Sequence, residues 1–316
     1  MAVRLVDRIA RSVGTRIPLV AIFQAPTIAQ LAGRLAETDG AEAEEEPRTA
    51  DVVTFHAAGD APPLFALPGI GGTAAFTFRG LAEQLGTRYP VHGLQLRGTD
   101  GVSAPHATVE EMAAYQIENI RRLQPTGPYS LIGYSFGGRL AFEIAAQLRD
   151  AGERVAILAM VDSSAPGYPK VAPLSERLRL HLRELVSAGP VAAARYVGQR
   201  VRSLGNRARA LAQRLRPPEI DPEDSPEDQL QTLAQVTRMA ARRYEPRVSD
   251  QAMLLFRSEQ KSEWLGASHD DPCNGWGEFA TGEIEVVALD GGHVDAMTDA
   301  NVVVMADRLR ERLAGD

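Results

Sequence analysis

A chain of 316 residues, 44% of them apolar, is long enough to bury one sizeable core and to carry a small appendage. Its net charge of −7 argues against a dedicated nucleic-acid binder, which would need a basic stripe for phosphates, and no DNA- or RNA-binding motif occurs. Cys273 is the only cysteine, which excludes an internal disulfide; with no signal segment or long apolar run at its start, the chain is expected to be soluble and cytoplasmic, with no membrane partner.

In chain order, Leu5, Val6, Ile9 and Val13 share one helical face, Gly14 supplies a stop, and IAQLAGRL after Pro26-Thr27 begins a second short helix. Two such helices make no core of their own. The stretch ETDGAEAEEEPRTAD clusters acids with glycine and proline and has almost nothing to bury, so residues 37–53 are expected to be a solvated acidic linker. The main domain is then expected over residues 54–316. There, short apolar runs alternate with helical repeats: LFAL (64–67), VHGLQL (91–96), YSLIGY (129–134), VAILAMV (155–161), AMLLF (252–256) and IEVVAL (284–289). Strands alternating with helices imply an α/β fold, with a mostly parallel sheet covered on both faces.

One interruption stands out, at about 167–246, where every apolar period is helical. Leu174, Leu178, Leu182 and Leu185 form one stripe, ended by Gly189-Pro190. Val197, Val201, Leu204, Ala208, Leu211 and Leu215 form a second, stopped by Pro217-Pro218. A third helix opens on Ser225 as N-cap with Pro226 in its first turn. An insertion of this size between two strands reads as a helical lid. Its ten arginines between residues 177 and 216, followed by EIDPEDSPED, suit either solvated faces with internal charge balance or contact with an acidic partner.

Chemistry concentrates in LIGYSFGGRLAFEIAAQL, residues 131–148. A serine hydroxyl is a poor nucleophile at neutral pH and needs a base within reach and donors aimed at the oxyanion it creates. Ser135 falls between a strand and the helical repeat Leu140, Ile144 and Leu148, where Gly133 and Gly137 permit a very tight turn. The helix N-terminus there offers the free amide of Phe136 to a developing negative charge. The competing interpretation is a glycine-rich turn with an incidental serine. The base is expected downstream, after a late strand, and His293 in LDGGHVDAM fits. His56, His92 and His106 precede the serine, His181 lies on the lid, and His269 follows AMLLF. For the orienting acid, Asp162 at the end of VAILAMV and Asp270 or Asp271 after AMLLF remain equally open on this reasoning. Cys273 sits in the turn-rich DPCNGW with no neighbouring histidine in sequence, which argues against a nucleophilic role.

The runs VHGLQLRGTDG, GPYSLIGYSFGGRLAFEIAAQLRDAGERVAILAMVDSSAP and GGHVDAM together resemble the terminal thioesterase domain of nonribosomal peptide synthetases and modular polyketide synthases. The resemblance runs from residue 54 to the end and implies an α/β-hydrolase fold with a helical lid. It also implies a triad acid in a V-D-S context, which favours Asp162, and a first oxyanion loop matching FALPGIGG, which carries the second amide donor onto Ile70, with Gly71 the near alternative. Leu67 and Gly69 depart slightly from the commonest pattern. RIPLVAIFQAPTIAQLAGRL resembles the last part of a peptidyl or acyl carrier domain, so residues 1–36 are expected to be a carrier remnant; its phosphopantetheine serine is missing, and Ser12 does not match it.

What this implies is a thioesterase that takes an acyl or peptidyl chain from a carrier's phosphopantetheine onto Ser135, with no metal or cofactor of its own, and releases it by hydrolysis, macrocyclisation or oligomerisation. The rivals are a stand-alone editing (type II) thioesterase, a generic esterase and a catalytically silent carrier-docking module.

Overall fold

The computed structural model describes residues 27–38, 51–173 apart from 58 and 72, 224–260 and 267–314, together with Leu5, Arg8, Ile9, 12–14, Arg179 and Asp221. The first two lid stripes and the arginines around them, Arg179 apart, lie outside the described residues. Leu5 and Val13, from the first expected helical face, are exposed. The second expected helix is α1 (Ile28–Thr38). Its entry is capped reciprocally: the Gln30 amide donates to Thr27 Oγ1 (3.3 Å) and the Thr27 amide to Gln30 Oε1 (3.2 Å).

The main sheet is built from β1 (Val52–His56), β2 (Leu64–Leu67), β3 (Val91–Leu94), β4 (Tyr129–Tyr134), β5 (Val155–Val161), β7 (Met253–Ser258) and β9 (Ile284–Leu289). The two-residue strands β6 (Lys170–Val171) and β8 (Ala267–Ser268) pair with each other separately. The helices are α2 (Ala74–Thr77), α3 (Arg79–Leu85), α4 (Val109–Leu123), α5 (Phe136–Asp150), α6 (Pro226–Arg243) and α7 (Asp299–Leu313). Strand order is β1-β3-β2-β4-β5-β7-β9, with only β1 antiparallel to its neighbour. This is the mostly parallel sheet that the alternating pattern implied.

The sheet corrects one expected boundary. Val52 and Val53, assigned to the acidic linker, are strand residues opposite Leu94 and Gly93, and Gln95 donates its amide to the Asp51 carbonyl at 2.7 Å. VVTFH escaped notice because it is an antiparallel edge strand, only partly covered, directly behind a run of acids. Three ends also differ: β3 stops at Leu94, before the Gln95-Leu96 expected to close it, and β7 begins at Met253 rather than Ala252 and runs on to Ser258.

Alternation along each strand divides the core into two layers. Phe65, Leu67, Leu131, Leu158, Met160 and Leu255 face α4 and α5, whereas Leu64, Ala66, Ile132, Ala159, Val161 and Phe256 face α3 and α7. Central strands buried on both sides have no polar face to show, which is why LFAL and VAILAMV are continuous apolar runs. Outside the sheet, α4 is fixed at its start by a capping box, Thr108 Oγ1 accepting from the Glu111 amide and Glu111 Oε2 from the Thr108 amide (both 3.2 Å). Acids in its first turn and Arg121 and Arg122 in its last suit the helix dipole.

Of the expected lid, α6 is the described helix. Ser225 caps it as expected, accepting the Asp228 amide at 3.2 Å. Its far end is pinned: Tyr244, buried, donates its hydroxyl to Glu143 Oε2 on α5 at 3.0 Å. Burial, and then the Glu143 carboxylate, push the Tyr244 phenol well above its ordinary range, so it remains a donor at any ordinary pH. Tyr244→Phe should leave a buried carboxylate oxygen short of a donor and lower unfolding free energy by about 1–3 kcal/mol. Chemical denaturation measures this; an unchanged midpoint would mean that the pin contributes nothing.

Candidate active site

The chain runs from β2 outward to β3 and then crosses back to β4 on the other side of β2, so the connections leaving β2 and β4 diverge. In open parallel sheets such a reversal opens a crevice at the carboxyl ends of the two strands. Both glycine-rich loops, FALPGIGG after β2 and GYSFGG after β4, leave the sheet there.

Ser135 occupies the turn between β4 and α5 with φ 55° and ψ −115°, a backbone state costly for any residue with a side chain. It is held by its amide, which donates to the Val161 carbonyl on β5 at 2.8 Å, while its own carbonyl accepts from Gly138 at 3.1 Å. The glycines make room. A methyl group at Gly133 would collide with the backbone of Gly137, and one at Gly137 with the carbonyls of Leu67 and Pro68. The loop after β2 comes equally close, since a methyl group at Gly69 would stand 3.5 Å from Ser135 Cβ and 3.3 Å from the Tyr134 ring. Ile70 follows in that loop, 40% exposed, and Gly71 has φ 103°. Phe136 is the first residue of α5, where amides lack partners within the helix.

Asp162 directly follows β5 in a second left-handed backbone state, φ 41°, with its amide bonded to the Phe256 carbonyl at 2.7 Å. Only 9% exposed, its carboxylate spends both oxygens: Oδ1 accepts the Ser258 amide at 3.1 Å, and Oδ2 meets His293 Nδ1 at 2.7 Å. An ionised carboxylate only accepts, so the imidazole proton belongs on Nδ1, which leaves Nε2 with a free lone pair. The other two candidate acids stand elsewhere. Asp271 caps a turn, taking the amides of Cys273 (2.8 Å) and Gly275 (2.7 Å), and Asp270 is exposed. Cys273 is half-buried, and burial, followed by Asp271, pushes its thiol up, the opposite of what a thiolate nucleophile requires.

The remaining described histidines have structural surroundings. His56 bonds the Ala82 carbonyl (3.2 Å), His92 bonds Thr54 (2.9 Å) while stacking on Phe65, His106 lies against Tyr115, and His269 meets the edge of Tyr168. Burial lowers both His92 and His106, keeping them neutral. His181 lies outside the described residues.

The loop bearing His293 is stapled from three sides. Asn301 on α7, buried, accepts the Asp290 amide (3.0 Å) and donates to the carbonyls of Asp290 (2.8 Å) and Asp295 (2.9 Å). Ser258 Oγ donates to the Gly292 carbonyl at 3.2 Å. Tyr134 donates its hydroxyl to the His293 carbonyl at 2.9 Å, and its ring stacks on the imidazole, centroids 5.2 Å apart and 16° between planes. Burial, then Asp162 and Asp295, raise the Tyr134 phenol and keep it protonated.

In comparison with known proteins, the family model described as the thioesterase domain matches residues 62–313. The chain belongs to the thioesterase domain family. Along 99% of its length the thioesterase is 31% identical to malpinin synthetase of Mortierella alpina, and over 93% it is 30% identical to a dimodular nonribosomal peptide synthase of Bacillus subtilis (strain 168). It spans only 4% and 12% of those two relatives. The crystal structure of holo-AB3403, a four-domain nonribosomal peptide synthetase bound to AMP and glycine, superposes with a TM-score of 0.62 at 26% identity, covering 98% of this chain and 23% of that one. The thioesterase is thus a hydrolase of the α/β-hydrolase fold.

Tyr134, Ser258 and Asn301 were not singled out in the sequence. Tyr134 carried a signal, its place beside the elbow serine; the other two are joined to the site only by folding. Among the described residues of the thioesterase, no group of three or more His, Cys, Asp or Glu side chains is arranged to hold a metal ion, and no helix is long and apolar enough to cross a membrane. Asn301→Ala should strip three hydrogen bonds from the histidine loop, lowering unfolding free energy by about 1–3 kcal/mol. Amide hydrogen exchange should quicken at residues 290–295 while β4 stays protected; equal protection in the variant would deny Asn301 its part in fixing the loop.

Proposed function

We propose that this thioesterase takes an acyl or peptidyl chain from the phosphopantetheine thioester of a carrier domain onto Ser135 and then releases it. The observation that carries the reading is the bonding of His293 Nδ1 to buried Asp162 at 2.7 Å, on the sheet edge from which the Ser135 turn projects. In the first step Ser135 Oγ attacks the thioester carbon and its proton passes to His293 Nε2. Negative charge collects on the former carbonyl oxygen, facing the amides of Phe136 and Ile70. Collapse breaks the carbon–sulfur bond, the imidazolium returns its proton to the leaving thiolate, and an acyl-Ser135 ester remains. A water, or a hydroxyl or amine on the acyl chain itself, then loses a proton to His293 and attacks the ester, re-forming Ser135. Asp162 holds the imidazole in the useful tautomer throughout.

Support for a carrier-bound substrate comes from the relatives. The likeness to malpinin synthetase covers nearly the whole chain, extending N-terminally beyond the thioesterase match that starts at residue 62. We therefore assign residues 1–36 to the end of a carrier, followed by a short acidic linker, and about 167–246, which include α6, to a lid insertion. Exposed apolar side chains on the sheet edge bearing the site, Ile70, Val102 and Val294, the last 84% exposed, suit an acyl group better than a charged one.

Ser135→Ala tests the nucleophile. A fluorophosphonate should add one mass to the native protein and none to the variant, and turnover of a soluble acyl thioester should fall about a thousandfold or more; undiminished acyl loading of the variant would move the nucleophile elsewhere. Asp162→Asn should keep the fold and slow acylation by about ten-thousandfold, because an amide donor in that place favours the wrong imidazole tautomer. Near-native rates in that variant, with collapse in Asp270→Asn or Asp271→Asn, would reassign the acid.

A further inference from the structure

We infer that Tyr134 is a positioning residue that locks the catalytic imidazole to the nucleophile turn and to the oxyanion loop at once. The inference rests on the serine reading proposed above and adds a residue to its machinery. Three contacts point to it. The hydroxyl of Tyr134 donates to the main-chain carbonyl of His293 at 2.9 Å, across 159 residues of sequence. Its ring lies nearly parallel to the imidazole, 16° between planes at 5.2 Å. The loop bearing Ile70 passes against the same ring, for a methyl group at Gly69 would stand 3.3 Å from Tyr134 Cδ1. Peptide linkage adds a fourth restraint, since Tyr134 is the residue before Ser135.

The other restraints leave a freedom that this ring removes. The bond from His293 Nδ1 to Asp162 fixes one ring atom, yet a single hydrogen bond permits the imidazole to swing about it. Asn301 and Ser258 hold only the loop backbone. A flat wall along one imidazole face is what restricts that swing, and Tyr134 supplies it while tying the wall to the nucleophile through the chain. Because Nε2 must lie within hydrogen-bond reach of Oγ, a displacement of about 1 Å in such a group costs about a hundredfold in rate. Half-exposed at the end of β4, its ring packs only against the margin of the layer facing α3 and α7, so the unfolding midpoint of each variant is measured beside its rate.

The test is a graded pair of variants, with acyl-enzyme formation followed by intact mass under rapid mixing with a soluble acyl thioester. Tyr134→Phe keeps the stacked ring and loses the hydroxyl bond, and should acylate about tenfold more slowly. Tyr134→Leu loses both, and should acylate about a hundredfold more slowly, with KM changed by less than about twofold. The far-downfield proton resonance of the imidazole N–H shared with Asp162 should be sharp in the native protein, retained in Tyr134→Phe and broadened in Tyr134→Leu. Rates within about twofold of native in both folded variants, or a loss residing wholly in KM, would overturn the inference while leaving the serine reading intact. A folded native protein that fails to acylate on Ser135 would overturn that reading and this inference together.

Discussion

Everything about the site depends on one backbone constraint, the left-handed turn at Ser135. A residue with a side chain resists φ 55°, and the turn persists because the surroundings allow no other path: the Val161 carbonyl grips the serine amide, and the absent side chains of Gly133 and Gly137 let α5 begin almost in contact with β2. That closeness has two chemical results. It sets Ser135 at the start of a helix, and it brings the loop after β2 beside that helix N-terminus, the arrangement that the proposed acyl transfer uses.

A second left-handed residue, Asp162, completes the arrangement from the neighbouring strand. Reversing the backbone at the end of β5 turns its carboxylate back along the sheet edge, where β7 and the loop after β9 both reach it. The carboxylate would be costly so deeply buried were its oxygens unpaired, and the Ser258 amide and the imidazole supply the partners. The next strand along thereby serves the acid as a donor rather than supplying one of its own, since the residue closing β7 at that edge is Ser258.

How far this was legible in the sequence follows from the range of each signal. Continuous apolar runs flanked by helical repeats announced β2, β4, β5 and β9 with their ends, because a strand buried on both faces leaves no polar residue to blur its pattern. β1 lacked that pattern. The turn at Ser135 and the loop at His293 were legible because glycine-flanked turns are local features. The choice between Asp162 and the aspartates after β7 was not, on residue pattern alone: each follows an apolar strand, and only folding brings Asp162 to the imidazole and spends Asp271 on a turn. Asn301 and Ser258 act entirely through contacts between distant segments, for which a single sequence has no periodicity to offer.

Arg139 extends the same logic from the site to α6. One turn beyond Ser135 on α5, it carries a largely buried guanidinium, and burial lowers its affinity for its proton without bringing that near neutrality. Its donors are spent on three carbonyls: Ser164 at 2.7 Å and Ala165 at 3.3 Å, in the segment leaving Asp162, and Ala241 at 3.1 Å, near the end of α6. A planar fork is suited to bridging acceptors on separate segments, which a lysine could not do with comparable geometry. Helix α5, the segment after Asp162 and the end of α6 therefore meet at one cation, with Tyr244 and Glu143 pinning the same helix pair one turn further on. Tied by Arg139 to Ala241 and by Tyr244 to Glu143, the C-terminal end of α6 therefore holds a fixed register against the helix that begins just after Ser135.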